Sequence, residues 1–199
     1  MIDIRNARVN TAGAFVSING LYPFAIGLKS HNGHIPIVRL GGHREENETG
    51  WQCAMREVYE ESGLKIRQLI PPTTYLTDGD HLEADLEEIK LEHKTNQEDI
   101  PLLVVSYCRD NQTLLSLMYL AQADGFPVPS SEVKGLLLLT SEDVHRLCQE
   151  SQTLEQFLNR GGQAVLNAEF DTSLILEPFV QLRLLSRILM IQSKNNLRL

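Results

Sequence analysis

The chain switches between two hydrophobic periods. Up to residue 40, apolar and β-forming residues come in short runs: "AGAFVSI", "LYPFAIGLKS" and "HIPIVRL". The last two flank "HNG", and an Asn-Gly pair between such runs predicts a hairpin. Then Trp51, Ala54, Met55 and Val58 recur at i, i+3, i+4 and i+7, which places one apolar stripe along a helix. Thr49 followed by Gln52 fits a capping box, and Gly63 stands where a helix stops. The helix should therefore start near Gly50 and run for about four turns or fewer.

Beyond it, "LKIRQLIPPTTYL" reads as a strand interrupted by Pro71 and Pro72. Residues 78–100 are polar and acidic, but Leu82, Leu86 and Ile89 have helical spacing and predict a short helix. "PLLVVSYC", "TLLSLMYLAQA" and "VKGLLLLT" predict strands, the first two joined by a turn at "RDNQ". Helices follow. "SEDVHRLCQE" opens with Ser141 in the cap position, and "TLEQFLNRGG" ends on glycines. A third runs from Pro178, suited to a first turn, to about Gln192. It is apolar round most of its circumference, so it is expected to be buried or at a subunit contact. Strands, one helix, more strands and then helices make a mixed α/β domain rather than a regular βαβ alternation. No repeat or linker divides the chain. A single domain over residues 1–199 is expected, with a core of about 10–150 and a helical extension of about 151–199.

Charge narrows the partners. A net charge of -8 makes the chain a poor non-specific binder of nucleic acid or anionic membrane. A phosphorylated ligand would have to come with cations. The start, "MIDIRNARVN", lacks the apolar stretch of a signal peptide, and "LEPFVQLRLLSRILMIQ" is too short and too charged to span a bilayer. Cys53, Cys108 and Cys148 are odd in number and widely spaced, so neither a disulfide framework nor a zinc site is indicated. A cytoplasmic protein with three reduced thiols is expected.

The candidate chemistry lies on the first helix. At roughly 100° per residue, Glu57, Glu60 and Glu61 share an arc away from the apolar stripe. Like charges at these spacings repel, and acids near a helix C-terminus oppose the macrodipole. Three carboxylates on one rigid element suit Mg²⁺ or Mn²⁺, hard cations that take oxygen ligands. On its own the same face also reads as a solvated acidic surface, the commoner occurrence.

The spacing weighs against the bland reading. Gly42, five residues, Glu48, seven residues, Arg56-Glu57-Val58, one residue, Glu60-Glu61, one residue, Gly63-Leu64: this resembles the box of the Nudix family at every fixed position. The resemblance implies an α/β/α sandwich around a mixed sheet, with extra C-terminal helices here, and a loop-helix-loop at the box. It implies divalent-metal-dependent hydrolysis of a pyrophosphate bond in a nucleoside diphosphate derivative, by attack of water on phosphorus. Carried over by position, Glu57, Glu60 and Glu61 are expected to hold the metal, with Glu57 alternatively orienting or deprotonating water. The backbone carbonyl of Gly41 or Gly42 is expected to add a ligand. Glu48 and Arg56 are expected to brace the loop-helix-loop, with Gly42 and Gly63 allowing its turns.

Outside the box, Glu132 stands where the family can supply an extra ligand or base; the alternative is a surface acid at a strand start. Arg39 and Arg44 flank the glycines and are candidates to meet phosphate or to stabilise the box. His43 reads as a solvated loop residue. Tyr75, Tyr107 and Tyr119 could stack on a base but read better as core. Leu40 stands where many members have proline. Residues 78–100 and the helices after about 150 exceed a minimal domain of this kind and suit a substrate lid or a homodimer surface. The partner expected is a small nucleotide derivative, with no nucleic acid or membrane. The alternative function is a non-catalytic nucleotide-binding or sensor module of the same fold.

Overall fold

The computed structural model describes residues 8–27, 32–79, 85–89 and 100–194. Its elements in chain order are β1 (Arg8–Ser17), β2 (Tyr22–Ile26), β3 (His34–Val38), β4 (Leu40–His43), α1 (Gly50–Ser62), β5 (Ile66–Leu69), β6 (Thr74–Asp78) and β7 (Glu87–Ile89). Then come β8 (Leu103–Arg109), β9 (Gln112–Ala123), β10 (Gly135–Leu139), α2 (Ser141–Gln149), α3 (Leu154–Asn159), β11 (Gln163–Leu166), β12 (Ile175–Pro178) and α4 (Val180–Lys194).

Two mixed sheets form the middle layer. The first runs β4-β1-β9-β8-β6-β7, with β5 also paired to β9. β1 and β9 are parallel, as are β6 and β8. The second runs β11-β10-β2-β3-β12, with β12 parallel to β3. Tight turns set the hairpin registers. Asn19-Gly20, Asn32-Gly33 and Asp110-Asn111 each place both residues at positive φ, the backbone that matches the twist of paired strands.

Alternation along the strands sorts side chains to two sides. Ala12, Ala14 and Val16 of β1 join Trp51, Cys53, Ala54 and Val58 of α1 in one core. Phe15 faces the other way, into a core shared with Phe24, Met118, Leu137 and the helices that follow β10. The layering is α1, sheets, then α2 with α4: the α/β/α arrangement that the resemblance implies. α4 buries Leu182, Leu184, Leu185 and Ile188, each contributing roughly 1.5–3 kcal/mol relative to exposure. Among the described residues no helix is long and apolar enough to cross a membrane, and the three cysteines are free.

Three local expectations are corrected. The helix suggested by Leu82, Leu86 and Ile89 is not formed at its end: Glu87–Ile89 is β7, paired antiparallel with β6, while Leu82 lies outside the described residues. The free edge of β6 offers hydrogen bonds that a weak helical spacing does not match. The cap of α2 is Thr140, one residue earlier than Ser141, because Thr140 and Asp143 exchange hydrogen bonds as a capping box. Pro178 ends β12 on an outer strand of the second sheet, where a missing N–H is tolerated, and α4 starts at Val180. β11 and β12 themselves have no clear signal in the sequence.

Candidate functional site

The site is assembled where β4 meets α1. β4 pairs antiparallel with β1, setting Gly13 opposite Gly41 and Ala12 opposite Gly42. Gly41 has φ +146°, and a Cβ there would lie 2.5 Å from the Ala12 carbonyl oxygen, so only glycine fits. At Gly42 a Cβ would run into the carboxylate of Glu57. The paired glycines therefore let the acidic face of α1 come down onto the strand backbone.

α1 is fixed at both ends by local chemistry. Thr49 and Gln52 complete the capping box, and Gly63, at φ 68°, caps the C-terminus with its N–H on the Tyr59 carbonyl. Between them Glu57 and Glu61 point to the strand. Glu61 accepts a hydrogen bond from the Gly41 N–H at 2.8 Å. Glu57 is nearly buried against Gly42, whereas Glu60 is half exposed, at 49%.

Arg56 is the hub. Its Nε and Nη2 reach both oxygens of Glu48, at 2.7 and 3.1 Å. Nη1 donates to Glu57 and Glu60, each at 2.9 Å, and Nη2 also donates to the His43 carbonyl at 3.0 Å. The bonds to Glu48 hold the guanidinium pKa above its ordinary value, and the same bonds hold the Glu48 carboxyl below its own. Arg44 completes the loop, donating from Nε to the Val9 carbonyl at 3.0 Å and from Nη1 to the Glu48 carbonyl at 2.6 Å.

Arg39 is placed differently. Its Nη1 donates to the Gly41 carbonyl at 2.8 Å, while its Nε is shielded from water without a hydrogen-bond partner. Burial lowers its pKa, against the attraction of Glu61 and Glu57. For Glu61 burial is again the main cause, pushing its pKa up to about 7; the Gly41 N–H and Arg39 pull it down, and Glu57 and Glu132 push it up. A carboxylate raised in this way is short of positive charge. Cys53 lies close by, but burial pushes its thiol up to about 11, which makes it a poor nucleophile.

Glu132 is exposed on a loop that α1 and Asn167 hold, within electrostatic reach of Glu61. The Val128 N–H bonds the Ser62 carbonyl at 2.9 Å and the Ser130 N–H bonds the Glu61 carbonyl at 3.1 Å. Asn167, just after β11, donates Nδ2 to the carbonyls of Ser130 and Val133 at 2.6 and 2.8 Å. Nothing in the sequence singles out Asn167, because its partners lie more than thirty positions away. Tyr75 and Tyr119 are core, and Tyr107 accepts from Asn10 at 2.8 Å. His43 is solvent-exposed as expected, but it ends strand β4 opposite Thr11 rather than lying in a loop, because β1 pairs its backbone.

The donor chemistry fits a hard divalent cation: Glu57, Glu60 and Glu61 offer carboxylate oxygens, and Gly41 a carbonyl that accepts from Arg39 in this structure. Among the described residues, however, no three histidine, cysteine or acidic side chains already stand in a metal-gripping cluster. Arg56 draws Glu57 and Glu60 to itself, and Glu61 is turned to the Gly41 N–H.

Comparison with known proteins identifies the family through a domain model. The model of the NUDIX domain matches residues 28–136, more than half of the chain. No curated protein matches significantly in sequence. Among solved structures, a NUDIX-family hydrolase from Clostridium perfringens is similar at 20% identity and TM-score 0.46, over 69% of this chain and 83% of that one. An Ap4A hydrolase from C. elegans aligns at 15% identity and TM-score 0.44, over 69% and 84% of the two chains. A NUDIX hydrolase from Nitrosomonas europaea aligns at 16% and 0.44, over 69% and 76%. At such identities and scores these structures do not bear on substrate. With the domain model matched across the glycine strand and the acidic helix, the chain belongs to the Nudix family and is a hydrolase of that family.

Proposed function

We propose that the protein hydrolyses a pyrophosphate bond in a small nucleotide derivative by attack of water on phosphorus, with Mg²⁺ or Mn²⁺ bound at Glu57, Glu60, Glu61 and the Gly41 carbonyl. The observation that carries this reading is the partly buried Glu61, held 2.8 Å from the Gly41 N–H against a strand that only glycine can build. A bound divalent cation supplies the positive charge that lets an acidic site accept a polyanion, and makes water a better nucleophile. The chain's own residues do the rest. Glu48 and Arg56 lock the loop to the helix. Glu57, pinned by Gly42 and Arg56, orients water or takes its proton. Glu132 is the other candidate base, brought close by the loop that Asn167 fastens. Arg44 and Arg39, which flank the glycines, are the candidates to meet phosphate. We place the protein in the cytoplasm, where its free thiols stay reduced.

The test is a panel of nucleotide-sugars, dinucleotide polyphosphates, oxidised nucleoside triphosphates, coenzyme A and ADP-ribose, each with Mg²⁺ or Mn²⁺. Release of phosphate or nucleoside monophosphate from one class, abolished in a folded Glu61→Gln variant, is the expected result. Ligand-induced thermal stabilisation without product on prolonged incubation would replace this reading with a sensor module.

A further inference from the structure

We propose that Arg39 is a resident counter-cation of the site, and that its guanidinium must leave the Gly41 carbonyl when a divalent cation is seated. The inference rests on the metal-site reading above and adds a cost to it that belongs to this chain.

Four observations converge. First, Gly41 is held from both sides by opposite charges: its carbonyl accepts from Arg39 Nη1 and its N–H donates to Glu61, both at 2.8 Å. Second, the Arg39 guanidinium lies within electrostatic reach of Glu61 and Glu57, the two more buried acids of the helix face. It thus supplies part of the positive charge these carboxylates lack. Third, its Nε is buried without a hydrogen-bond partner. A side chain serving only to brace the fold would be expected to satisfy that group, since a buried donor left unmet is destabilising. Fourth, the neighbouring arginines behave otherwise. Arg56 and Arg44 use their Nε atoms on Glu48 and on the Val9 carbonyl. Arg39 alone of the three commits to the one carbonyl proposed as a metal ligand.

A guanidinium and a divalent cation drawn to the same carbonyl oxygen would repel each other. In a partly buried site that repulsion is large. The two occupants are therefore coupled: each weakens the other, and the affinity of the site for metal is set partly by Arg39.

The probe is Mn²⁺ alone, titrated into wild type, Arg39→Met and Arg39→Gln by calorimetry and by electron paramagnetic resonance, with Arg146→Gln as a control of equal charge change on α2. The coupling predicts that both Arg39 variants bind Mn²⁺ about tenfold or more tightly than wild type, while Arg146→Gln does not. In wild type, the Arg39 Nε–H resonance should shift on adding Mg²⁺ with the midpoint seen by calorimetry; this arm needs no variant to fold. An unmoved resonance, or variants with a lower melting temperature and wild-type Mn²⁺ affinity, makes Arg39 a brace and overturns the inference alone. Failure of wild type to bind Mn²⁺ overturns the metal-site reading and this inference together.

Discussion

α1 and α2 begin alike and are charged oppositely. Each opens with a threonine in a capping box. α2 then follows the macrodipole, with Glu142 and Asp143 in its first turn and Arg146 in its last. α1 has no acid in its first turn and no base in its last, and gathers Glu57, Glu60 and Glu61 toward its C-terminus. Asp143 is paired for the fold: it bonds Thr140 and meets Arg160 at 2.7 Å. Glu61 accepts from a backbone N–H and sits among other acids, with Arg39 within electrostatic reach. The same residue chemistry stabilises one helix and leaves the other with its charge unbalanced.

Substitutions can widen or collapse that contrast. The largest effect is expected from Glu61→Gln, which should lower kcat by roughly 10²–10³-fold. Its melting temperature without metal should hold or rise, because an acid at a helix C-terminus costs roughly 0.3–1 kcal/mol. Thermal melts in chelator beside steady-state kinetics read both; joint loss of stability and activity would class Glu61 with the charges of α2. Gly42→Ala is expected to push Glu57 from its place and cost about 10–100-fold in activity with helix content intact by circular dichroism.

On the α2 side, Asp143→Asn should leave kcat unchanged but remove about 1–2 kcal/mol of stability at neutral pH. Burial alone would raise the Asp143 pKa; hydrogen bonds from Thr140 and Arg160 more than reverse this and hold it below its ordinary value. Its contribution is thus present above the unfolded value near about 4 and is lost as pH falls through the lower folded value. Urea melts at neutral and acid pH should show a shallower acid limb in the variant. The smallest effect belongs to Arg146→Ala, which breaks an exposed pair with Glu142 and should cost about 0.3–0.5 kcal/mol in the same melts.

What was legible in the sequence is what is decided within a few residues. The Thr49 cap, the Trp51 stripe and the Gly63 stop are local, and the helix they predict is the helix observed. The carboxylate face follows from it by geometry alone. Other features depend on partners that the sequence does not name. β7 exists because β6 offers an edge, and β12 because β3 does, so neither needs a strong pattern of its own. Arg39 is an ordinary strand-end arginine until the fold turns it onto the Gly41 carbonyl. Asn167 gains meaning only from a loop far back in the chain.

The second sheet carries a practical consequence. Its two outermost strands, β11 and β12, come from the last quarter of the chain and cover β10 and β3. The family match ends at residue 136, inside β10. A chain cut after α2 would retain every acid of the helix. It would also expose the unpaired backbone of "GLLLL" and "HIPIV" to the next molecule. Bare apolar strands of this kind seed intermolecular β-pairing, so the shortened protein is expected to precipitate before its chemistry can be measured.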